Sequence, residues 1–353
     1  MTRPKPTLRM VAARAGVAPS TASLIMRGEG RFSHETVSRV LASARDLGYA
    51  SGAAPAWPLA PGSTNIAGVV AYTPAHGTLR DPHSLDVTRG LHRTLAQHAI
   101  ALMLLPPIHN HRFDEVFAAM PLDIVFLLTT PEDTTAVRQA AAERGVVVAH
   151  LESGGPQAPP PMVEVDDIPP MQDVARHLLS LGHSTVAAIT LRHSSVLRSG
   201  LVEPPPYEQI ENLVVRGRLE GLALGGLPPR YMFETAHASA AEAVEGAKLL
   251  MRLEPRPTAI VCFSDTLAEG AITGVRELGL RVPEDVSVTG YDATPIPSLA
   301  PHRLTSVHQD GVVKGDLLAR IGLALRAGGA APRARLETFF LEGTTTGPAP
   351  LGM

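Results

Sequence analysis

Residues 7–49 read TLRMVAARAGVAPSTASLIMRGEGRFSHETVSRVLASARDLGY, and their apolar spacing predicts three short helices. Thr7 supplies a capping oxygen for the first, Leu8, Val11, Ala12 and Ala15 fall on one face, and Gly16 stops it. Pro19 suits the first position of the second helix, because the amide it lacks would be unpaired there. That helix runs to about Met26 with Ala22 and Ile25 inward; Ala18 offers no cap oxygen, so about 1 kcal/mol of capping is missing. Ser33 caps the third, where Val37, Val40, Leu41, Ala44 and Leu47 recur at helical spacing until Gly48. Two helices joined through Gly16 to Ala18, with a third completing the core, match a helix-turn-helix, although unrelated three-helix bundles share that spacing.

The charge divides along the chain. Residues 1–60 carry eight Lys or Arg against three acids, a balance of +5, and the remainder carries twenty-three basic against thirty-one acidic residues, a balance of -8. A small basic module joined to a large acidic one suits a polyanion-binding head on a body that does not itself bind phosphates. With 353 residues, 44% of them hydrophobic and 18% charged, the chain is neither a disulfide-stapled peptide nor a charge-driven disordered one. The single Cys262 cannot close an intramolecular disulfide, no run of about 18 apolar residues spans a bilayer, and the basic start lacks a sustained apolar stretch before a cleavage site. The expected compartment is the cytoplasm.

Residues 50–64, ASGAAPAWPLAPGST, read as a Pro-rich linker or a segment ordered only in a complex. Trp57 and Leu59 are its exceptions, with two readings: packing on the neighbouring domain, or insertion against DNA. Beyond residue 65, apolar strands alternate with amphipathic helices. Strands are expected at Ile66 to Ala71, Ala99 to Leu105, Ile124 to Leu128, Val146 to His150, Val186 to Thr190, Thr258 to Phe263, Val286 to Thr289, Leu304 to His308 and Leu336 to Leu341. Helices are expected at roughly 84–98, 134–144, 167–181, 212–224, 238–253, 265–278 and 310–326. Near-continuous apolar strands between helices imply parallel sheets covered on both faces, and their number implies two doubly wound lobes. The stretch 192–211, with Pro204, Pro205 and Pro206, reads as a surface insertion.

Two such lobes enclose a cleft beyond the carboxyl ends of their strands. Its candidates follow strands: Tyr72 and the loop to Pro82, Glu152, the loop after Thr190, Asp265 and Asp292. Arg218, early in its helix, either points a guanidinium fork into the cleft or lies solvated on the surface. Asp265 either accepts hydrogen bonds from ligand hydroxyls or serves as an ordinary helix-start residue. Enzyme signatures are missing: there is no HExxH, GxSxG or GxxxxGK[ST], no glycine fingerprint after the first strand, and Cys262 lies within an apolar strand. His109 and His111 have no partner pattern that completes a metal site and read as a solvated loop. No cofactor and no catalytic residue are expected.

Residues 7–49 resemble, without a gap, the DNA-binding head of the lactose-repressor and galactose-repressor family. GSTNIAGVV at 62–70, LLSLGHSTVAAI at 178–189, RGRLEGL at 216–222, RPTAIVCFSDTLAEGAITGVRELGLRVPEDVSVTGYD at 256–292, LTSVHQD at 304–310 and LEGTTTG at 341–347 continue the likeness over about nine tenths of the chain. The resemblance implies an α/β fold: a helix-turn-helix head over 1–49, a hinge over 50–64, a two-lobed periplasmic-binding-protein-like effector and dimerisation domain over 65–345, and a tail over 346–353. It implies a homodimeric transcription regulator, by custom a repressor, that binds double-stranded operator DNA and a small-molecule effector, a sugar or related polar metabolite, with no membrane partner. The alternative is a sugar-binding protein whose head has lost its DNA function; a catalytic role ranks third.

Carried over by position, the resemblance makes Pro19, Ser20 and Leu24 the base-facing residues, and Thr7, Thr21, Ser23, Arg27 and Arg31 candidates for phosphate or flanking contacts. Leu24 departs from an arginine common in the family, which implies a changed half-site. In the hinge, Leu59 is the nearest match to a minor-groove leucine, but Pro55 and Pro58 disfavour an unbroken helix, so the wedge is expected to be weakened or remodelled, with Trp57 as a substitute. Arg218 and Asp265 match effector-contacting positions, with Tyr72, Asp86, Tyr291 and Gln309 as further pocket candidates. Ser264 replaces a customary Asn, and residues 73–83 match poorly, so effector identity does not transfer.

Overall fold

A computed structural model describes residues 7–26, 32–47, 64–70, 80–106, 108, 113–128, 134–151, 162–194, 196–329 and 333–350. The chain forms two units, Met1–Asn65 and Ile66–Met353. In the first, α1 spans Leu8–Ala15, α2 Pro19–Met26 and α3 His34–Leu47. Thr7 caps α1 by accepting from the Met10 amide at 3.4 Å, and Gly16 ends it at φ 66°, where a side chain would be strained. Ser33 accepts from the Thr36 amide at 3.3 Å ahead of α3. Val11, Ala12, Ala15, Ala22, Ile25, Val40 and Ala44 make the core, ringed by Leu8, Val17, Met26, Phe32, Val37 and Leu47. Arg14 on α1 meets Asp46 on α3 at 2.8 Å. Gly48 and the side chain of Leu41 lie outside the described residues.

The second unit holds two α/β lobes. In the first lobe, β1 (Ile66–Val70), β2 (Ala101–Leu104), β3 (Ile124–Leu127) and β4 (Val147–His150) form a parallel sheet in the order β2-β1-β3-β4. One face carries α4 (Pro82–Gln97), and the other carries α5 (Phe113–Ala119) and α6 (Thr135–Glu143). The second lobe contains α7 (Ile168–Ser180), β6 (Val186–Thr190), β7 (Gly200–Val202), α8 (Leu213–Leu224), β8 (Tyr231–Glu234), α9 (Ala240–Leu250), β9 (Ala259–Cys262), α10 (Asp265–Glu277) and β10 (Ser287–Thr289). Its sheet order is β10-β9-β6-β8-β7, with β7 antiparallel at the edge. The short strand β5 (Val163–Val165) precedes α7.

After β11 (Ser306–Gln309) the chain returns to the first lobe as α11 (Gly311–Arg326), whose Leu318, Ala319 and Ile321 join the core beneath β1 and β3. The strands β12 (Ala334–Leu336) and β13 (Thr338–Leu341) then pair with β5 in parallel and β11 in antiparallel register. The single strand expected over Leu336 to Leu341 is therefore two, because its halves serve different partners.

Several other elements escaped the sequence reading, the short β5 among them. β8 is only four residues long and ends on a charge, so YMFE at 231–234 lacks the apolar run that marks the other central strands. β7 and a 3-10 turn at Tyr207–Gln209 lie within the expected surface insertion, which is thus partly built into the sheet edge. The helix α5 was not anticipated at all.

The return helix α11 lies so close to α4 that a β-carbon on Gly90 would collide with the Val312 carbonyl, and one on Gly315 with the Val87 carbonyl. Both obstacles are backbone, which cannot swing aside. Gly90→Ala is expected to destabilise the body by about 1–3 kcal/mol, measured by urea denaturation followed on the body's helical signal; an unchanged midpoint would show that the helices separate freely.

Candidate functional site

Two surfaces carry the polar chemistry, one on each unit. On the head, α2 presents Pro19 and Ser20 exposed and Thr21, Ser23 and Leu24 half-buried, while Ala22 and Ile25 face the core. Pro19, Ser20, Ser23 and Leu24 form one stripe by their three- and four-residue spacing. Thr7 is exposed and already caps α1, so its hydroxyl oxygen serves the helix start. Arg27, Arg31, Trp57 and Leu59 lie outside the described residues, as does Tyr72 in the body.

In the body, the strands β4, β6, β8 and β10 deliver His150, Thr190, Glu234 and Thr289 to their carboxyl ends, all of them buried. The arginine of this cleft is placed by glycines. A β-carbon on Gly217 would stand 3.2 Å from the Asp167 β-carbon, and Gly221 and Gly225 press against Ile168, Met171 and Ala175 of α7. This tight seam brings Arg218, 4% exposed, onto Asp167, with Nε 3.1 Å from Oδ1. Its Nη1 donates to the Phe263 carbonyl, and its guanidinium carbon lies 3.4 Å from the centre of the Tyr291 ring. Burial opposes the charge, but Asp167, Tyr291 and Asp292 outweigh it and hold the guanidinium above its ordinary value.

Asp265 begins α10 beneath the cap of Ser264, whose Oγ accepts from the Leu267 amide at 3.2 Å. Its Oδ1 accepts from the Ser306 hydroxyl at 2.7 Å, and its Oδ2 from the Thr294 amide at 2.6 Å and the Thr294 hydroxyl at 3.1 Å. The carboxylate thus ties α10 to β11 and to the loop after β10. Gly290 permits this, since a β-carbon there would strike Oδ1.

Asp292 follows in that loop at φ 114°, and Ala293 at φ 51°, two consecutive residues in the region that favours glycine. Donation from the Asp292 amide to the Val307 carbonyl at 2.7 Å and from the Ala293 amide to Ser306 Oγ at 3.1 Å holds them there. Gln309 Nε2 donates to Asp292 Oδ1 at 2.5 Å, Lys314 Nζ donates to Gln309 Oε1 at 3.3 Å, and His83 Nδ1 stands 3.8 Å from the same carboxylate. Residues of both lobes meet here. Across the same gap Thr266 Oγ1 donates to Asp81 Oδ1 at 2.8 Å, while Asp81 also caps α4.

A further buried acid, Glu234, accepts from the His193 amide at 2.8 Å and pairs with His193 Nδ1 at 2.7 Å and Arg198 Nε at 2.5 Å. Burial disfavours its charge, yet these partners lower its pKa. The proline-rich insertion is thereby anchored at the mouth of the second lobe.

The structure gathers Arg218, Tyr291 and Gln309 around Asp167 and Asp292, and places Asp265 beside them as a brace. Asp86 instead pairs with Arg89 on its own helix at 2.6 Å. Sequence reading passed over Asp167, His83, Lys314 and Glu234, and noted Asp292 only as a residue after a strand. Lys314 carried a visible signal: it falls among Gly311, Gly315, Leu318, Ala319 and Gly322, the buried stripe of α11. This arrangement offers carboxylate acceptors and guanidinium, ammonium and amide donors to a polar ligand. Cys262 is buried with its thiol pushed well up by burial, and among the described residues no group of three or more His, Cys, Asp or Glu is placed to hold a metal.

Burial, with repulsion from Asp292, raises the Asp265 carboxyl to about 8; burial also raises Asp292 to about 7, with Asp81 adding to it and Arg218 opposing. Both groups keep protons in the folded body that the unfolded chain releases near 3.8. Their contribution is therefore fully present below the unfolded value and is lost as pH rises through the folded ones. Asp265→Asn, which mimics the protonated acid, is expected to flatten the fall in unfolding midpoint between about pH 4 and 8; an equally steep fall in the variant would remove Asp265 as its source.

The family described as bacterial regulatory proteins, lacI family, matches residues 7–51, and a periplasmic binding protein-like domain matches residues 175–343. The chain is 26% identical to an HTH-type transcriptional regulator of Mycobacterium tuberculosis (strain ATCC 25618 / H37Rv), over 98% of each chain. It shares its fold with a complex of the transcriptional regulator CelR with cellobiose, at TM-score 0.66 and 24% identity over 96% of this chain and 99% of that one. It shares it also with the Lac repressor dimer bound to operator and an anti-inducer, at TM-score 0.63 and 22% identity over 98% of this chain and all of that one.

Proposed function

The chain belongs to the lacI family of bacterial regulatory proteins, and on that premise we propose that it is an effector-responsive repressor of transcription. The carrying observation is the pairing, in one chain, of a basic helix-turn-helix unit with a two-lobed body whose cleft buries Arg218 against Asp167 and Asp292 against Gln309. The head reads double-stranded operator DNA through α2, and the body binds a small metabolite and performs no catalysis. A neutral polyol or sugar suits the cleft, since Asp292 accepts hydroxyl hydrogens while Arg218 donates to hydroxyl oxygens. Thr266 on Asp81 and His83 near Asp292 join the lobes, so a ligand seated between them shifts the balance between open and closed bodies. The working form is a homodimer, because paired heads raise each other's effective concentration on two half-sites. The proposed compartment is the cytoplasm, and among the described residues no helix is long and apolar enough to cross a membrane.

Selection from a random duplex library by the full chain is expected to enrich a two-fold symmetric site whose affinity falls steeply with salt. Failure to enrich any sequence over permissive salt would overturn the regulator reading. For the effector, neutral mono- and disaccharides are screened by thermal shift. At least one is expected to raise the unfolding temperature of the wild-type protein but not that of Asp292→Asn, which should still bind the selected DNA.

A further inference from the structure

We propose that α2 reads its half-site mainly through thymine methyl groups and single hydroxyl hydrogen bonds, with Leu24 as the residue that sets the preference. This rests on the regulator reading above. The eight residues of α2, PSTASLIM, include no Arg, Lys, Asn, Gln, Asp or Glu. Its outward stripe is Pro19, Ser20, Ser23 and Leu24, while Ala22 and Ile25 are consumed by the core. Among the described residues, Leu24 stands outside the ring of side chains that packs on that core, although Met26, two residues on, belongs to it. A half-buried leucine outside that described core is available to another apolar group.

The occupant is duplex DNA, which the +5 balance of residues 1–60 favours over an acidic or neutral partner surface. In a helix-turn-helix the second helix enters the major groove by its N-terminal residues. There, discrimination of guanine or adenine by a paired hydrogen bond needs an Arg, Lys, Asn or Gln, and cytosine is read by an acid. None of these is on α2. The remaining feature that a leucine and a proline distinguish is the thymine 5-methyl, and a serine hydroxyl adds one undirected hydrogen bond. Arg14, on α1 rather than α2, is engaged by Asp46 of α3 at 2.8 Å.

The test uses the full chain and the site it enriches from a random library. Each thymine of a half-site is replaced by deoxyuridine, which removes only the methyl, and each guanine by 7-deazaguanine, which removes the N7 acceptor. Loss of a methyl contact is expected to weaken binding about fourfold, and 7-deazaguanine to cost less than about tenfold, since at most one serine hydroxyl bond is lost with N7. Leu24→Ala should abolish the deoxyuridine penalty at one position per half-site and leave the other positions as they were. Leu24→Arg should shift the enriched base at that position to guanine. The proposal is overturned if deoxyuridine is neutral throughout, or if 7-deazaguanine within a half-site costs tenfold, or if Leu24→Ala retains every methyl penalty. Failure of the regulator reading is a separate outcome, in which no site is enriched and the analogues have nothing to probe.

Discussion

A buried charge must be met by its complement, and in the body of this protein the condition falls on Arg218. The guanidinium is almost wholly withdrawn from water, where an unpaired charge would cost several kcal/mol. Asp167, the Phe263 carbonyl and the Tyr291 ring meet it on three sides. Each comes from a different part of the second lobe: the residue before α7, the end of β9 and the loop after β10. The arginine therefore fixes how α8 lies against α7 and where the post-β10 loop begins. The glycine seam at 217, 221 and 225 serves the same end, because any larger side chain would lift the helix off its partner.

The loop after β10 carries the second constraint. Asp292 and Ala293 occupy backbone conformations that L-residues avoid, and such geometry persists only where surrounding contacts over-determine it. Ser306, Val307 and Gln309 of β11 supply those contacts, and β11 leads directly into α11, which belongs to the other lobe. A displacement of one lobe is thus felt at Asp292 through β11. The acid is sensitive to such a displacement because Asp81 and His83 belong to the first lobe, whereas Arg218 belongs to the second. Its charge state therefore answers to groups of both lobes.

Much of this was legible in the sequence where one interaction decides one residue. Gly16 and Thr7 announce the limits of α1, and the core spacing of the head follows from helical periodicity alone. The parallel strands that lie between helices were legible for the same reason, since both faces are apolar. The central strand β8 was not, because its short run ends on Glu234, a charge whose burial depends on His193 and Arg198, far away in sequence. Asp167 was hidden similarly: beside Pro169 and Pro170 it looks like a helix start, and only the approach of α8 shows its partner. Asp265 was expected at the ligand from its matching position, and its oxygens accept from Ser306 and Thr294, partners that no local pattern reveals.

The head and the body obey opposite rules. In the body, polar groups are paired with one another before a ligand arrives, so replacing one disturbs several others, and the cleft is costly to alter. On α2, the residues that face outward lie, among the described residues, outside the core cluster. Ala22 and Ile25 hold the helix to α1 and α3, and Pro19, Ser20, Ser23 and Leu24 can change without touching that core. An arginine lost from such a stripe takes a base contact with it and leaves the fold intact. A helix with an entirely uncharged face is therefore compatible with a stable head, provided that the positive balance of residues 1–60 attracts the DNA backbone. Affinity and base preference are then carried by different residues, and the preference is the part that a single substitution can rewrite.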